Sequence, residues 1–114
     1  YALCYVEKYV YTPKDVIELI KNVGGIAVLA HPGISDCDEL ISEFVRYGMN
    51  GLEVLHSRHT LKQIDYYTNL AGNYNLVVTG GSDCHGLSEM RQMQLGSVIV
   101  PDSFLDNLRC LKEK

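Results

Sequence analysis

Apolar positions along the chain recur in two alternating rhythms. Thr12 and Pro13 form an N-cap with proline at the first helical position; Val16, Ile17, Leu19, Ile20 and Val23 then return at helical spacing until Gly24-Gly25 closes the run. Next comes "IAVLA" at 26–30, an unbroken apolar stretch that reads as a buried strand. The alternation repeats. A helix is expected over 38–47, with Leu40, Ile41, Phe44 and Val45 inward and Gly48 past its end, before a strand "GLEVL" at 51–55. Thr60 caps a helix running to about Tyr74, with Ile64, Tyr67, Leu70 and Ala71 on one face, and "LVVT" at 76–79 makes a third strand. A polar loop through Gln92, a short strand "SVIV" at 97–100, Pro101 and a last helix from Ser103 to about Leu111 complete the pattern.

Helices alternating with buried strands predict an α/β fold of helix/strand units around a parallel sheet. At 114 residues the chain holds one domain at most. Its opening, "YALCYVEKYVY", is apolar and aromatic without a start signal and reads as the continuation of something upstream. No low-complexity segment or linker interrupts the sequence.

Composition narrows the function. The net charge is -4 with no stripe of Lys and Arg, which argues against sequence-independent binding of nucleic acid. An anionic substrate would then need a positive field from a bound metal ion. The four cysteines, Cys4, Cys37, Cys84 and Cys110, form no CxxC pair, so a zinc ribbon is excluded. Scattered thiols, with no signal peptide and no long apolar span, point to a cytoplasmic setting and no membrane.

The four histidines all follow predicted strands: His31 the first, His56 and His59 the second, His85 the third, with Asp83 two positions before His85. In a parallel α/β fold the C-terminal strand ends share one side, so these residues converge on one rim. Imidazoles with a carboxylate suit a borderline divalent ion such as zinc, manganese or iron. If 83–85 is extended, Asp83 and His85 share a side and Cys84 is a spacer pointing away. The flanking glycines let the backbone bend close to an ion. Plainer readings stand beside these. His31 is also explained as a hydrogen-bonding loop residue, Asp83 as a helix N-cap, His56 as a core-edge residue and His59 as a neighbour of the capping Thr60.

"GGIAVLAHPG", "GLEVLHSRHT" and "TGGSDCHG", in this order, resemble the C-terminal half of a PHP (polymerase and histidinol phosphatase) domain over nearly the whole chain. The nearest likeness is to stand-alone PHP phosphoesterases that act on nucleotides or short RNA ends. The resemblance implies a partial, distorted (β/α)7 TIM-like barrel. It also implies up to three divalent ions (Mn2+, Zn2+ or Fe2+) in the complete domain. By this resemblance His31, Asp83 and His85 are metal ligands. His59 is the catalytic candidate, a protonated ring near the substrate phosphate. Arg58 is read as a solvated loop residue.

The HxH…D motif that opens PHP domains is missing here, as are the further His and Glu ligands. Residues 1–114 are therefore expected to be the C-terminal portion of a PHP domain, completed by the N-terminal half of the same domain. The expected function is that of a fragment of a metal-dependent phosphoesterase, inactive by itself. The whole would hydrolyse phosphate esters of small molecules, nucleotides or short oligonucleotides by metal-bound hydroxide. The alternative is a non-catalytic, truncated or degenerate PHP module that binds or scaffolds. A metal-free flavodoxin-like domain is disfavoured, because no Gly-rich phosphate loop follows the first strand.

Overall fold

The computed structural model describes residues 10–86 and 95–113. Helix α1 (Pro13–Asn22) starts at a capping box: Thr12 Oγ1 accepts from the Asp15 N–H at 3.2 Å, and the Asp15 carboxylate accepts from the Thr12 N–H at 2.9 Å. Gly24, at φ 76°, turns the chain into strand β1 (Val28–Leu29). This strand is shorter than the expected 26–30, because side chains replace the ladder at both ends. The Ala27 N–H donates to Asn50 Oδ1 at 3.1 Å, and the His31 N–H donates to Glu53 Oε2 at 2.8 Å.

A single helical turn, α2 (Pro32–Ser35), follows where only a loop was expected. The helix expected from Asp38 begins as a 3₁₀ turn, Asp38–Leu40, and becomes α3 over Ile41–Tyr47. Gly48 closes it at φ 99°. Strand β2 (Gly51–His56) leads into α4 (Leu61–Asn73), which opens on a second capping box, between Thr60 and Gln63. Strand β3 (Val77–Gly81) comes next, and α5 (Asp102–Lys112) is the last helix described. It starts one residue earlier than expected, since Pro101 itself takes the extended N-cap conformation. Residues 97–100 are not a strand. Val100 meets β3 with its side chain: a Cβ placed on Gly80 would stand 3.2 Å from Val100 Cγ2. The expected strand thus has no ladder partner among the described residues. The polar loop lies partly outside the described residues, as does most of the opening segment with Cys4.

The three strands are parallel and lie in chain order, β1-β2-β3. The β2–β3 register slips between Glu53 and Leu55, so Val54 is passed over and His56 pairs with Gly81. Central β2 buries one face completely, with Leu52 and Val54 at 0% exposure, and half-buries the other, with Glu53 and Leu55. Ile17, Ile41, Phe44, Met49, Tyr67 and Ala71 complete most of the core around it. An apolar cavity of about 370 Å³ opens beside the β1 edge, between Ile17, Ile20, Val28, Phe44 and Met49. No helix among the described residues is long and apolar enough to cross a membrane.

Leu52 fills the middle of this core, whereas Leu61 is 81% exposed. Leu52→Ala is expected to cost about 2–5 kcal/mol of unfolding free energy. Leu61→Ala should stay within about 0.5 kcal/mol of the parent. Urea unfolding of both variants checks this; equal effects would refute the placement of the core.

Candidate functional site

The parallel sheet carries its C-terminal strand ends to one rim, and all four histidines are there. The ring centroids of His31 and His56 lie 5.5 Å apart, and those of His56 and His59 5.2 Å apart. Asp83 sits between the second and third turns: Oδ2 is 3.6 Å from His56 Nε2, and Oδ1 is 3.7 Å from His85 Nδ1. The stretch 83–85 is not extended, because Asp83 takes the left-handed region at φ 55°. What couples the pair is the His85 ring, which folds back and donates from Nδ1 to the Asp83 carbonyl at 2.7 Å. Cys84 is exposed, as is Arg58.

Hydrogen-bond partners sort the imidazoles by tautomer. Ser35 Oγ donates to the His31 carbonyl at 3.2 Å, so it accepts from His31 Nδ1 at 3.2 Å. The Nδ1 proton of His31 is thereby held, and Nε2 is left with a free lone pair. His85 reaches the same state through the Asp83 carbonyl. His59 differs. Its Nε2 accepts from the Gly33 N–H at 3.2 Å, and its Nδ1 donates to the Val54 carbonyl at 2.8 Å. Both nitrogens are engaged, and the residue is 9% exposed. His56 Nδ1 accepts from the Arg58 N–H at 3.2 Å, which puts its proton on Nε2. Burial lowers the His56 pKa below 6.5, Glu53 and Asp83 pull it back up, and His59 and His31 lower it further.

Two residues absent from the sequence reasoning shape this rim. Glu53, on β2, accepts the His31 N–H and holds that residue at φ 34°. Gln63 donates from Nε2 to the Gly33 carbonyl at 3.0 Å, next to the bond from His59. The signal for Glu53 was present: a lone carboxylate inside the apolar strand "GLEVL" needs a partner. Gln63 is marked locally only as the partner of Thr60 in the capping box; nothing local marked its bond to Gly33, which spans thirty positions.

A free Nε2 on His31, a free Nε2 on His85 and the Asp83 carboxylate are donor types that could hold a borderline divalent ion. Among the described residues, no three such side chains converge closely enough to enclose one. The parallel strands nevertheless deliver all three side chains to one rim.

Comparison with known proteins agrees. No family model matches the chain. It is 44% identical over 73 residues to a phosphoribosyl 1,2-cyclic phosphate 1,2-diphosphodiesterase of Eggerthella lenta; the match covers 64% of this chain and 28% of that protein. It is 33% identical over 81 residues to a 3',5'-nucleoside bisphosphate phosphatase of Chromobacterium violaceum, covering 67% of this chain and 28% of that protein. A structure described as a metal-dependent phosphoesterase of Bifidobacterium adolescentis superposes with a TM-score of 0.76 at 29% identity, covering 96% of this chain and 41% of its own. An amidohydrolase of Chromobacterium violaceum, solved with bound sulfate and no metal, superposes with a TM-score of 0.71 at 27% identity, covering 93% of this chain and 39% of its own. These likenesses support the resemblance to the PHP family. It spans well under half the length of the relatives it matches.

His59 ties the turn after β1 to β2, while His85 is half exposed, with a side-chain exposure of 51%. His59→Ala leaves the Gly33 N–H and the Val54 carbonyl unpaired and is expected to cost about 2–4 kcal/mol. His85→Ala should cost under about 0.5 kcal/mol in the metal-free protein. Denaturant unfolding with a chelator present measures both; a neutral His59→Ala would show that the clamp is not structural.

Proposed function

We propose that this chain forms the C-terminal portion of a PHP domain in a metal-dependent phosphoesterase. In this reading His31 and His85 bind a divalent ion through Nε2, and Asp83 binds one through its carboxylate. The observation that carries the proposal is the tautomer sorting: a carbonyl and a hydroxyl pin the Nδ1 protons of two rim histidines and leave both Nε2 lone pairs free. The remaining ligands come from the N-terminal half of the same domain. A bound divalent ion polarises the phosphoryl oxygens and lowers the pKa of water toward neutrality.

The chain's own residues do the positioning. Glu53 and His59 fix the turn that presents His31, and the left-handed Asp83 projects its carboxylate beside His56. With its Nε2 bonded to Gly33, His59 shapes that turn; acting as general acid would require this bond to open. The substrates are phosphate esters of small molecules and nucleotides. Support comes from the two relatives, a phosphoribosyl cyclic phosphate diphosphodiesterase and a nucleoside bisphosphate phosphatase. Extension to short oligonucleotides is part of the same proposal.

The test uses the product of the complete gene with manganese. Phosphate release from a nucleoside 3',5'-bisphosphate is followed for the parent, Asp83→Asn and Arg58→Ala. Asp83→Asn keeps the shape but removes a charged ligand, so the rate is expected to fall by on the order of 100-fold or more. Exposed Arg58→Ala should change it less than about 3-fold, or about 0.65 kcal/mol. Equal rates for the parent and Asp83→Asn would overturn the proposal. Metal binding without release from any phosphate ester would favour a non-catalytic module instead.

A further inference from the structure

His56 ends strand β2 with its side chain wholly enclosed. Among the described residues, its Nε2 is the buried side-chain polar atom without a hydrogen-bond partner. A donor left in that state is costly, and a native fold keeps one where it has a use.

Three uses are open to the ring. It could fill space, bind an ion, or donate to a neighbour. Space filling does not call for a nitrogen at this position. Ion binding through Nε2 would put the proton on Nδ1, facing the Arg58 N–H 3.2 Å away. Two donors would then point at each other, so the backbone amide opposes that tautomer. With the proton on Nε2, an acceptor stands close by: Asp83 Oδ2 at 3.6 Å, roughly 0.6 Å beyond an ordinary N–H···O contact. The surrounding frame keeps the two groups facing each other. His56 pairs with Gly81 across the sheet, and Ser57 Oγ donates to the Ser82 carbonyl at 2.9 Å.

We propose that His56 is a positioning residue for Asp83: its Nε2–H donates to Oδ2 and fixes the direction of the carboxylate, leaving Oδ1 open on the His85 side. The inference rests on Asp83 being a metal ligand. Once one oxygen is held, the carboxylate no longer rotates to find the ion, so binding costs less ordering. Outer partners of this kind are worth about 10–100-fold in metal affinity.

The experiment measures manganese affinity by competition with a chelating dye, using the product of the complete gene. The variants are His56→Leu, His56→Gln, His56→Asn and Asp83→Asn. A glutamine side-chain amide reaches the Nε2 position with an N–H; an asparagine amide stops at Nδ1. The expected result is a loss of about 10–100-fold for His56→Leu and His56→Asn, with His56→Gln recovering most of it. The Gln–Asn pair carries the test if the leucine variant does not fold. Parent-like affinity in His56→Leu or His56→Asn would overturn the proposal. So would His56→Gln binding no better than His56→Asn, which is the result if His56 ligates the ion itself. Parent-like affinity in Asp83→Asn would instead overturn the ligand assignment on which the inference stands, and the inference with it.

Discussion

Strand β2 has one fully enclosed face, and the rim is built on that constraint. Leu52, Val54 and His56 share that face and are buried, with α4 packed on the strand, and β1 and β3 flank it on both edges. A strand so held cannot slide, because a one-residue slip would turn its side chains over. Its C-terminal end then becomes a fixed post from which the neighbouring turns hang. Glu53, His59 and Gln63 hold the turn after β1, and Ser57 holds the turn after β3. Every candidate ligand sits on one of those two turns. Strand β2, the turn after it and the first turn of α4 provide the groups that hold them.

Backbone amides then decide which imidazoles are available for chemistry. Four rings within one rim would look interchangeable from their residue type. The Gly33 N–H takes the lone pair of His59, and the Arg58 N–H takes one lone pair of His56. His31 and His85 are instead tied through their protons, by a hydroxyl and a carbonyl. The fold thus separates two rings that serve structure from two that keep an open nitrogen. It does so without any difference in local sequence chemistry.

Much of the frame was legible because its causes are local. The capping residues Thr12 and Thr60, the closing Gly48, and the apolar runs of β2 and β3 act within a few positions of themselves. The parallel arrangement and the PHP resemblance were legible for the same reason. What escaped depends on distant partners. Strand β1 is cut short by Asn50 and Glu53, more than twenty positions away. Residues 97–100 have the composition of a strand but meet β3 with a side chain in place of a ladder. The roles of His56 and His59 were not readable, since a tautomer is set by whichever group faces each nitrogen.

The left-handed residues link the frame to the site. Glycine would accept these positions at little cost, yet His31 at φ 34° and Asp83 at φ 55° are both candidate ligands. Such a conformation costs a non-glycine residue on the order of 1–3 kcal/mol. At His31 the hydrogen bond from its N–H to the Glu53 carboxylate returns a similar amount, about 1.5–3 kcal/mol for a bond to a charged acceptor. The strain is therefore local and locally offset. It bends the chain sharply just past the strand, so that the side chain stands over the rim instead of continuing along the sheet. Glycine would relieve the backbone but remove the donor; a relaxed histidine would keep the donor but aim it elsewhere. Glu53 lets the position be both a histidine and a tight turn, which is why a carboxylate is kept inside an otherwise apolar strand.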